Sequence, residues 1–559
     1  MNPRLRIATR GSHLALAQSR YIQSRIAATP NAPQTELVII KTSGDANQVL
    51  SLAEAASGDA RKGLFTKEIE EALLGDQADI AVHSFKDLPT QMVDGLRICA
   101  VPQRIESLDI LVFPKVKKAY DRLPYVREGS TIGTSSARRV AQLKYLFPEI
   151  KPVLLRGNVP TRMRRLLAPD GPDATLLSAA GIERLSREGF FDGKDPDSVD
   201  LSLFEIIPIP ASIMVPAPAQ GTLAIQCRIT DSRAIAATSH LHDEELARII
   251  AGEREILARL EGGCHLPLGT HMTREKQKGK TYFQMHMFLG EEAIQNRRKK
   301  SYQVTRCADT PERLSKAMLE DVLYSHAIVV TGRPARCAEL KQKFPHIHSL
   351  PLIDTQILPL PRDLEPSIRK EGGLVAAFFS ESGVAAASSI RALREDNVQF
   401  AAVSHRTAEA VKNTFGRSAI VGTATGKDLA HAVIEKTYGP VFAFRSQDGR
   451  EDFMEVLGAA GRPYRDVPLY KTTHLPVDRS QLDSLPARAA VIFASPSAFL
   501  SWIKAAGGGS SASAYHLERG LRLCAIGNTT ADAMLEMNCV PYAISEHPDL
   551  DAFIQELMQ

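Results

Sequence analysis

The sequence has little net charge and no long hydrophobic run. Its 559 residues include 68 Lys and Arg against 64 Asp and Glu, a formal net charge of +4. So weak an imbalance does not favour nucleic-acid binding. No stretch approaches the roughly eighteen uninterrupted apolar residues of a membrane span, and the N-terminal residues lack the apolar core of a secretory signal. We therefore expect a cytoplasmic protein with neither a nucleic-acid nor a membrane partner.

The sequence also lacks paired cysteines. The seven cysteines stand at positions 99, 227, 264, 307, 337, 524 and 539. Their odd number and the absence of a CxxC pair exclude a disulfide framework and a zinc site, so we expect no metal. Cys264 stands out, because Gly262 and Gly263 precede it and Pro267 fixes the exit of the same loop. That thiol is a reactive group, a cofactor tether or a small buried apolar side chain.

The chain is too long for a single core, and its composition, 44% hydrophobic and 24% charged, is that of a globular protein. Strand and helix patterns alternate from "LRIATR" through "ADIAVHSFKDLP", which predicts an α/β domain, and the alternation restarts near residue 130. A proline-rich crossover follows at 207–221. Next comes a small α+β unit, in which "KTYFQMHMFLGEEAIQ" resembles a hairpin.

A second series of strand–helix patterns begins at Ala327. Two halves of the remaining residues repeat one pattern in the same order, which indicates two related α/β domains. The chain therefore consists of two proteins in series, joined near residues 322 to 327.

Cations are concentrated where strands meet helices. Residues 130–165 contain eight Lys or Arg and only one acid, Glu149. "GTSSARR" adds hydroxyl groups and backbone N–H groups at a predicted helix N-terminus, an arrangement that binds anions. Because arginine binds carboxylates through two parallel hydrogen bonds, we predict a site for acidic ligands. Each of these cations, taken singly, is equally explained as a solvated surface charge.

One acid, Asp87, stands among these cations in "HSFKDLP". A carboxylate there would stabilise positive charge forming on a substrate nitrogen. An ordinary salt bridge from Asp87 to Lys86 or Arg10 explains the same pattern. The residues alone leave both interpretations open.

Residues 1 to about 320 resemble hydroxymethylbilane synthase, also called porphobilinogen deaminase. The matching stretches are "RIATRGSHLA", "KGLFTKE", "ADIAVHSFKDLP", "GTSSARR", "RGNVPTR", "AAGIERL", "PAQGTLAIQCR" and "LEGGCHLPLG". The resemblance implies a dipyrromethane cofactor attached through Cys264. It also implies that Asp87 is the catalytic residue, which holds pyrrole N–H groups while porphobilinogen loses ammonia.

The same resemblance implies which side chains bind acidic groups. The positions expected to bind the cofactor, besides Cys264, are Lys86, Thr134, Ser135, Ser136, Arg138, Arg139, Arg156 and Gly157. The positions expected to bind substrate are Arg6, Arg10, Ser12, Lys62, Arg104, Arg162 and Arg184. Each porphobilinogen carries an acetate and a propionate, which accounts for so many cations.

Residues from about 325 to 559 resemble uroporphyrinogen-III synthase. The matching stretches are "VVTGRPARCAEL", "FFSESGVAAA", "VPLYKTTH", "FASPSAFLSWI" and "AIGNTTADAM". The resemblance implies closure of hydroxymethylbilane into a macrocycle with inversion of the last ring and loss of water. Tyr470 matches the tyrosine proposed to assist departure of the hydroxyl group. The side chains expected to bind substrate carboxylates, at predicted helix N-termini, are Ser380, Ser382, Ser495, Thr529 and Thr530. Each is equally explained as a helix cap alone.

The predicted fold is α/β, with two periplasmic-binding-protein-like domains, a small α+β domain and two further doubly wound domains. The predicted boundaries are 1–103 with 201–222 for deaminase domain 1, 104–200 for domain 2, 223–322 for domain 3, 325–358 with 476–559 for synthase domain 1, and 359–475 for synthase domain 2. We expect a bifunctional monomer acting on small molecules. The alternatives are a solute-binding module and a deaminase whose C-terminal half is not catalytic.

Overall fold

The chain forms two compact units, an N-terminal unit of Met1–Ser325 and a C-terminal unit of His326–Met558. A computed structural model describes residues 4–42, 66–116, 128–193, 197–260, 266–291, 301–323, 327–422, 425–449, 451–546 and 549–558. Within these ranges no helix has the length and apolar character needed to cross a bilayer.

The N-terminal unit alternates strands and helices before ending in a strand meander. Its described strands are β1 (Leu5–Thr9), β2 (Thr35–Ile39), β3 (Ile80–Ser84), β4 (Leu96–Ala100), β5 (Asp109–Pro114), β6 (Thr131–Gly133), β7 (Lys151–Val153), β8 (Ala174–Ser178), β9 (Phe204–Ile209), β10 (Leu223–Arg228), β11 (Leu268–Gln277), β12 (Lys280–Leu289) and β13 (Tyr302–Ala308). Its described helices are α1 (His13–Ala27), α2 (Lys67–Leu74), α3 (Ala137–Leu146), α4 (Val159–Leu167), α5 (Ala179–Arg187), α6 (Ser232–Thr238), α7 (Glu244–Arg259) and α8 (Pro311–Leu323). Short 3₁₀ turns occupy Phe85–Asp87, Leu201–Leu203 and Ser239–Leu241.

The first two sheets of this unit share one topology. The first sheet has the order β2-β1-β3-β10-β4 and the second has the order β7-β6-β8-β5-β9. In each, three strands run parallel and one strand next to them runs antiparallel: β10 against β3, and β5 against β8. Parallel strands followed by helices place their carboxyl ends, and the loops after them, along one edge of the sheet.

The third sheet is the antiparallel meander β11-β12-β13. Its apolar face packs on α7 and α8 through a core that includes Ile256, Met285, Leu314 and Met318. The stretch that we interpreted as a hairpin is the strand β12 and the residues after it. The hairpin lies one strand earlier, between β11 and β12, where Lys278 and Gly279 both have positive φ.

The C-terminal unit contains two further sheets. Its described strands are β14 (Ile328–Gly332), β15 (His348–Pro351), β16 (Ile353–Ile357), β17 (Leu374–Phe378), β18 (Val398–Ala402), β19 (Ala419–Val421), β20 (Val441–Ser446), β21 (Tyr464–His474), β22 (Ala490–Phe493), β23 (Arg522–Ala525) and β24 (Ala543–Ile544). Its described helices are α9 (Pro334–Lys343), α10 (Leu364–Lys370), α11 (Glu381–Ala387), α12 (His405–Phe415), α13 (Gly426–Lys436), α14 (Asp452–Ala459), α15 (Arg479–Asp483), α16 (Pro496–Ala505), α17 (Gly509–Arg519), α18 (Asn528–Glu536) and α19 (Leu550–Met558).

The fourth sheet, β15-β14-β22-β23-β24, is parallel throughout. The fifth sheet has the order β16-β21-β20-β17-β18-β19 and is parallel except for the edge strand β16. Strands such as β17 and β22 are fully buried apolar runs, as expected for parallel strands covered on both faces. The mixed α/β architecture predicted from the sequence is confirmed.

Three strands lie in sheets other than those given by the predicted boundaries. β9 pairs with β5 in the second sheet, β10 pairs with β3 and β4 in the first, and β16 pairs with β21 in the fifth. All three pair antiparallel with strands that are distant in sequence. Hydrophobic periodicity reports that a strand exists but not which partner it takes, so the boundaries could not follow these crossings.

Candidate active sites

The first candidate site lies after β3, at the carboxyl edge of the first sheet. The strand ends at Ser84 and passes into the 3₁₀ turn that carries Lys86 and Asp87. Asp87 is exposed, whereas Lys86 is half-buried. Burial lowers the pKa of Lys86, and the negative charge of Asp87 opposes that shift. The turn therefore presents a solvent-accessible carboxylate beside a partly desolvated amine.

An ion cluster at the start of β5 belongs to the second sheet. Asp109 is fully buried and accepts hydrogen bonds from Arg138 at 2.6 and 3.2 Å and from Arg139 at 2.7 and 3.3 Å. The two guanidinium charges hold the pKa of Asp109 far below its usual range, against the effect of burial. Arg138 and Arg139 also donate to the carbonyl oxygens of Val215 and Leu176. Both arginines are therefore buried and fixed by groups of the chain itself.

Gln220 joins this cluster to the Asp87 turn. Its amide nitrogen donates to Asp109 at 3.0 Å, and its amide oxygen accepts from Lys86 Nζ at 3.5 Å. The next residue, Gly221, has φ +85° and accepts a 2.8 Å hydrogen bond from Arg184 at its carbonyl oxygen. A Cβ at Gly221 would lie 2.7 Å from the Ile105 carbonyl oxygen, so only glycine fits. Through Gln220, groups from both sheets meet at one place.

Two further predicted ligands, Arg162 on α4 and Arg184 on α5, are half-buried. Burial lowers the pKa of each to about 10, so both remain charged at neutral pH. Arg162 donates to Ser135 Oγ at 3.3 Å and to the Gly157 carbonyl oxygen at 2.8 Å. The negative charge of Asp87 opposes the lowering of the Arg184 pKa, so Asp87 interacts electrostatically with Arg184 as it does with Lys86.

The predicted hydroxyl donors lie at helix N-termini. Ser12 caps α1 by accepting from the Ala15 N–H at 3.4 Å. Thr134 is buried and accepts from the Ser136 N–H at 3.2 Å, while Ser136 is the N-cap residue of α3 and makes no side-chain cap bond. Ser135 is exposed. These hydroxyl and N–H groups suit anionic oxygens.

Arg6 and Arg104 are held by carboxylates of the chain. Arg6 bonds Asp79 at 2.7 Å and Asp76 at 2.9 Å. Arg104 forms a two-point ion pair, 2.8 and 3.2 Å, with the fully buried Glu253 of α7, and donates to the Gln220 carbonyl oxygen at 2.8 Å.

The remaining predicted ligands of this unit divide into two groups. Arg10 is half-buried directly after β1, while Arg156 and Gly157 are exposed after β7. Gly157 has φ +111°, a conformation that favours glycine. Cys264 and Lys62 lie outside the described residues.

Sequence reasoning missed Gln220 and Glu253 as site residues. Gln220 stands in the matched stretch "PAQGTLAIQCR", where an uncharged amide among apolar residues gave no signal of its own. Glu253 lies on the core face of α7 and accepts hydrogen bonds from the Ala219 and Met272 N–H groups at 2.7 and 2.8 Å. The available signal was that this acidic residue occupies a position where the helix pattern calls for an apolar one.

The second candidate site lies in the C-terminal unit around Tyr470 of β21. Its side chain is 8% exposed, and its hydroxyl lies 2.6 Å from Ser380 Oγ. Ser380 is also the N-cap of α11 and accepts from the Gly383 N–H at 3.1 Å. Burial raises the pKa of Tyr470, while Ser380 and the charge of Arg333 oppose that rise. The phenol is therefore protonated at neutral pH and can donate a proton.

The other hydroxyl groups predicted for this site stand at two places. Ser382, in the first turn of α11, accepts a hydrogen bond from Arg333. Ser495 caps α16 after β22 by accepting from the Ala498 N–H at 3.2 Å. Thr529 is exposed and Thr530 buried at the start of α18, after β23. Because β22 and β23 are parallel neighbours, Ser495 and the threonines share one edge of the fourth sheet.

Comparison with known families agrees with this division into two units. Residues 5–236 match the family described as porphobilinogen deaminase, dipyromethane cofactor binding domain, and residues 247–323 match its C-terminal domain. Residues 337–555 match the family uroporphyrinogen-III synthase HemD.

Individual relatives match the N-terminal unit. The chain is 41% identical over 270 residues to the porphobilinogen deaminase of Trichlorobacter lovleyi, covering 48% of this chain and 79% of that one. It is 38% identical over 268 residues to that of Brevibacillus brevis, again covering 48% and 79%. A crystal structure of uroporphyrinogen-III synthetase from Helicobacter pylori aligns with 41% of this chain and 97% of its own, at 18% identity and with a TM-score of 0.31.

The chain belongs to the porphobilinogen deaminase family and carries a uroporphyrinogen-III synthase domain after the deaminase domains. It is a bifunctional enzyme of haem biosynthesis that has both activities and acts on small-molecule tetrapyrrole precursors. Its cofactor is dipyrromethane. A solute-binding module and a deaminase with a silent C-terminal half are not favoured by these matches.

Proposed function

We propose that Asp87 is the catalytic carboxylate of the deaminase reaction. The observation that carries this proposal is an exposed carboxylate, on the turn after β3, whose charge acts on the half-buried cations Lys86 and Arg184. A carboxylate held in such a setting stabilises positive charge as it forms. The surrounding cations suit the acetate and propionate groups of the substrate.

When porphobilinogen loses ammonia, its C–N bond breaks, the electron pair leaves with nitrogen, and the pyrrole ring becomes electron-poor. The Asp87 carboxylate accepts a hydrogen bond from the pyrrole N–H and so stabilises the positive charge that develops on the ring. Arg162, Arg184 and Ser135 would bind the acidic side arms and hold the ring against the carboxylate. The partial burial of Arg162 and Arg184 strengthens their contacts by reducing screening from water.

The residues present also fit the cofactor. Arg138 Nε is buried and has no hydrogen-bond partner among the described residues, and the half-buried Arg162 stands beside Ser135. Donors of this kind suit the carboxylates of a dipyrromethane. When bound, the dipyrromethane supplies the pyrrole carbon from which the chain of pyrroles is extended. We propose attachment through Cys264, on the segment between α7 and β11.

Paired substitutions test both assignments. Asp87→Asn keeps the size of the side chain and removes its charge; we expect ammonia release from porphobilinogen to fall by about a thousandfold, the scale for loss of a charge-stabilising group. Asp94→Asn, at an exposed position of the same unit, should release ammonia at the unaltered rate. Normal turnover by Asp87→Asn overturns its role.

For Cys264, intact-protein mass spectrometry is the measurement. Cys264→Ser should weigh only what its amino acids predict, whereas Cys307→Ser, which alters a buried thiol, should keep the mass of the covalent cofactor. Retention of that mass by Cys264→Ser overturns the tether.

We propose Tyr470 as the proton donor of the synthase reaction. Its neutral phenol, bonded to Ser380, would protonate the departing hydroxyl group of hydroxymethylbilane, while Ser382, Ser495, Thr529 and Thr530 would bind carboxylates at helix N-termini. Tyr470→Phe should lower the share of uroporphyrinogen III over isomer I formed from porphobilinogen without slowing ammonia release. An unchanged isomer ratio overturns this assignment.

For the architecture, we propose that each sheet forms the core of one domain. The strand orders of the first two sheets, each with an inserted antiparallel strand, support a periplasmic-binding-protein-like pair. The third sheet supports the small cofactor-loop domain, and the parallel fourth and fifth sheets support two doubly wound domains. Limited proteolysis should cut between the two units first.

We further propose a cytoplasmic monomer that binds neither nucleic acid nor membrane. None of the six described cysteines forms a disulfide bond, which suits a reducing compartment. Analytical ultracentrifugation tests the oligomeric state.

A further inference from the structure

Arg333 stands at an unusual junction between β14 and α9. Gly332 ends the strand with φ +149°, and Pro334 begins the helix. Arg333 is the N-cap residue, but its side chain makes no cap bond. The turn therefore directs a guanidinium group away from its own helix.

The guanidinium reaches the Tyr470 site. Arg333 donates to Ser382 Oγ in the first turn of α11. Two residues earlier, Ser380 Oγ lies 2.6 Å from Tyr470 Oη. The positive charge of Arg333 also acts on Tyr470, where it opposes the rise in pKa that burial causes. These four side chains thus form two hydrogen-bonded pairs, which the start of α11 holds next to each other.

Neighbouring arginines are neutralised by carboxylates, and this one is not. Arg406, on α12, pairs with Glu381. Arg336, one turn along α9, pairs with Asp551 at 2.8 Å and with Glu339. Within the described residues Arg333 has no carboxylate partner. Its positive charge is therefore left to act on the phenol.

We propose that Arg333 is a positioning residue of the synthase reaction: it stabilises the phenolate that Tyr470 becomes when it gives up its proton. This inference rests on the proposed role of Tyr470. As water leaves, the C–O bond of the hydroxymethyl group breaks, the electron pair goes to oxygen, and the Tyr470 proton completes the water molecule. The Ser380 hydroxyl then donates a hydrogen bond to the phenolate Oη, and the positive charge of Arg333 stabilises the phenolate electrostatically. Ring closure releases one proton from the substrate, which restores the phenol.

The test is steady-state kinetics with hydroxymethylbilane on the full chain. Arg333→Met should lower kcat about tenfold and leave KM within about twofold, because the lost interaction exists only in the transition state. Arg333→Lys, which keeps the charge, should recover kcat to within about threefold of the parent enzyme. Arg336→Met is the matched control and should leave both constants unchanged. Ammonia release from porphobilinogen reports only that the N-terminal unit is folded; the unchanged KM for hydroxymethylbilane and the rescue by Arg333→Lys report that the C-terminal unit is folded.

A double variant separates this inference from its alternatives. In a Tyr470→Phe background, Arg333→Met should change kcat by less than about twofold, because the group through which it acts is gone. Additive losses, or a rise in KM with unchanged kcat, would mean that Arg333 binds a substrate carboxylate and would overturn the inference. If Tyr470→Phe slows the reaction and Arg333→Met does not, only the inference fails. If Tyr470→Phe has no effect, the proposed role of Tyr470 fails.

Discussion

The two candidate sites differ in how they handle charge. In the N-terminal unit, fully buried carboxylates hold arginines in fixed positions, as in Asp109 with Arg138 and Arg139. In the C-terminal unit, the candidate groups are hydroxyls at helix N-termini, a neutral phenol and one cation without a carboxylate partner among the described residues. The first arrangement suits binding of many acidic side arms; the second suits delivery of a single proton.

The difference has an energetic side. A buried ion pair depends on both partners, because removing one leaves a desolvated charge. Removal of a hydroxyl cap lowers stability by only about 1 kcal/mol, because water can replace the lost hydrogen bond. The N-terminal site should therefore tolerate substitution less well than the C-terminal site.

The largest expected effect is that of Asp109→Asn. It leaves Arg138 and Arg139 buried without a counter-charge, and we expect the free energy of unfolding of the N-terminal unit to fall by about 3–5 kcal/mol. Urea denaturation followed by circular dichroism measures it. Asp170→Asn, which breaks an exposed pair with Arg165, should cost less than about 1 kcal/mol. Equal losses would contradict the claim that burial makes the Asp109 ion pairs matter more to stability than an exposed pair.

Acid pH should destabilise both units. Burial lowers the pKa of His83 and of His516 to about 4, below the ordinary value of 6.5. Between these values the unfolded chain binds more protons than the folded one, so stability falls as pH falls through this window. The loss is on the order of 3 kcal/mol for each histidine.

Two substitutions test whether these histidines cause the loss of stability at acid pH. His83→Gln should flatten the pH dependence of unfolding in the N-terminal unit, and His516→Gln in the C-terminal unit. His346→Gln, at an exposed position, is the control. A pH profile that neither buried substitution alters would show that other groups govern acid stability.

A smaller effect distinguishes two caps within the C-terminal unit. Ser380→Ala and Ser495→Ala should each cost about 1 kcal/mol of stability, because each removes a helix cap. Only Ser380 also contacts Tyr470, so only Ser380→Ala should slow hydroxymethylbilane cyclisation by lowering kcat. A matching fall in kcat for Ser495→Ala would place that cap in the chemistry too.

The smallest effect is that of salt. Raising ionic strength from about 0.05 to about 0.3 M shortens the range of the field around the cationic site, and we expect KM for porphobilinogen to rise about twofold. The kcat of cyclisation should stay constant, because proton delivery from Tyr470 takes place at contact distance. A kcat of cyclisation that changes with salt would contradict proton delivery at contact distance in the C-terminal site.

Much of the fold followed from local pattern. "LRIATR" predicted β1 and "ADIAVHSFKDLP" predicted β3, because buried strands and the polar loops between them differ in composition. The positions of Ser380 and Ser495 as caps also followed from single residues before apolar helices. The partners in the ion pairs could not be predicted in this way. Arg104 and Glu253 are 149 residues apart, and local sequence patterns carry no information about such distant contacts. Arg333 escaped notice because a lone arginine carries no periodic signal.

The place of β10 has a consequence for synthesis of the chain. β4, residues 96–100, hydrogen-bonds to β10, residues 223–228, and to no other described strand. Until the ribosome has extended past residue 228, β4 has no neighbour in its sheet, although it was translated more than a hundred residues earlier. The first sheet is thus completed only after the second has been made, and a polypeptide released before β10 would expose an unfinished edge to other nascent chains.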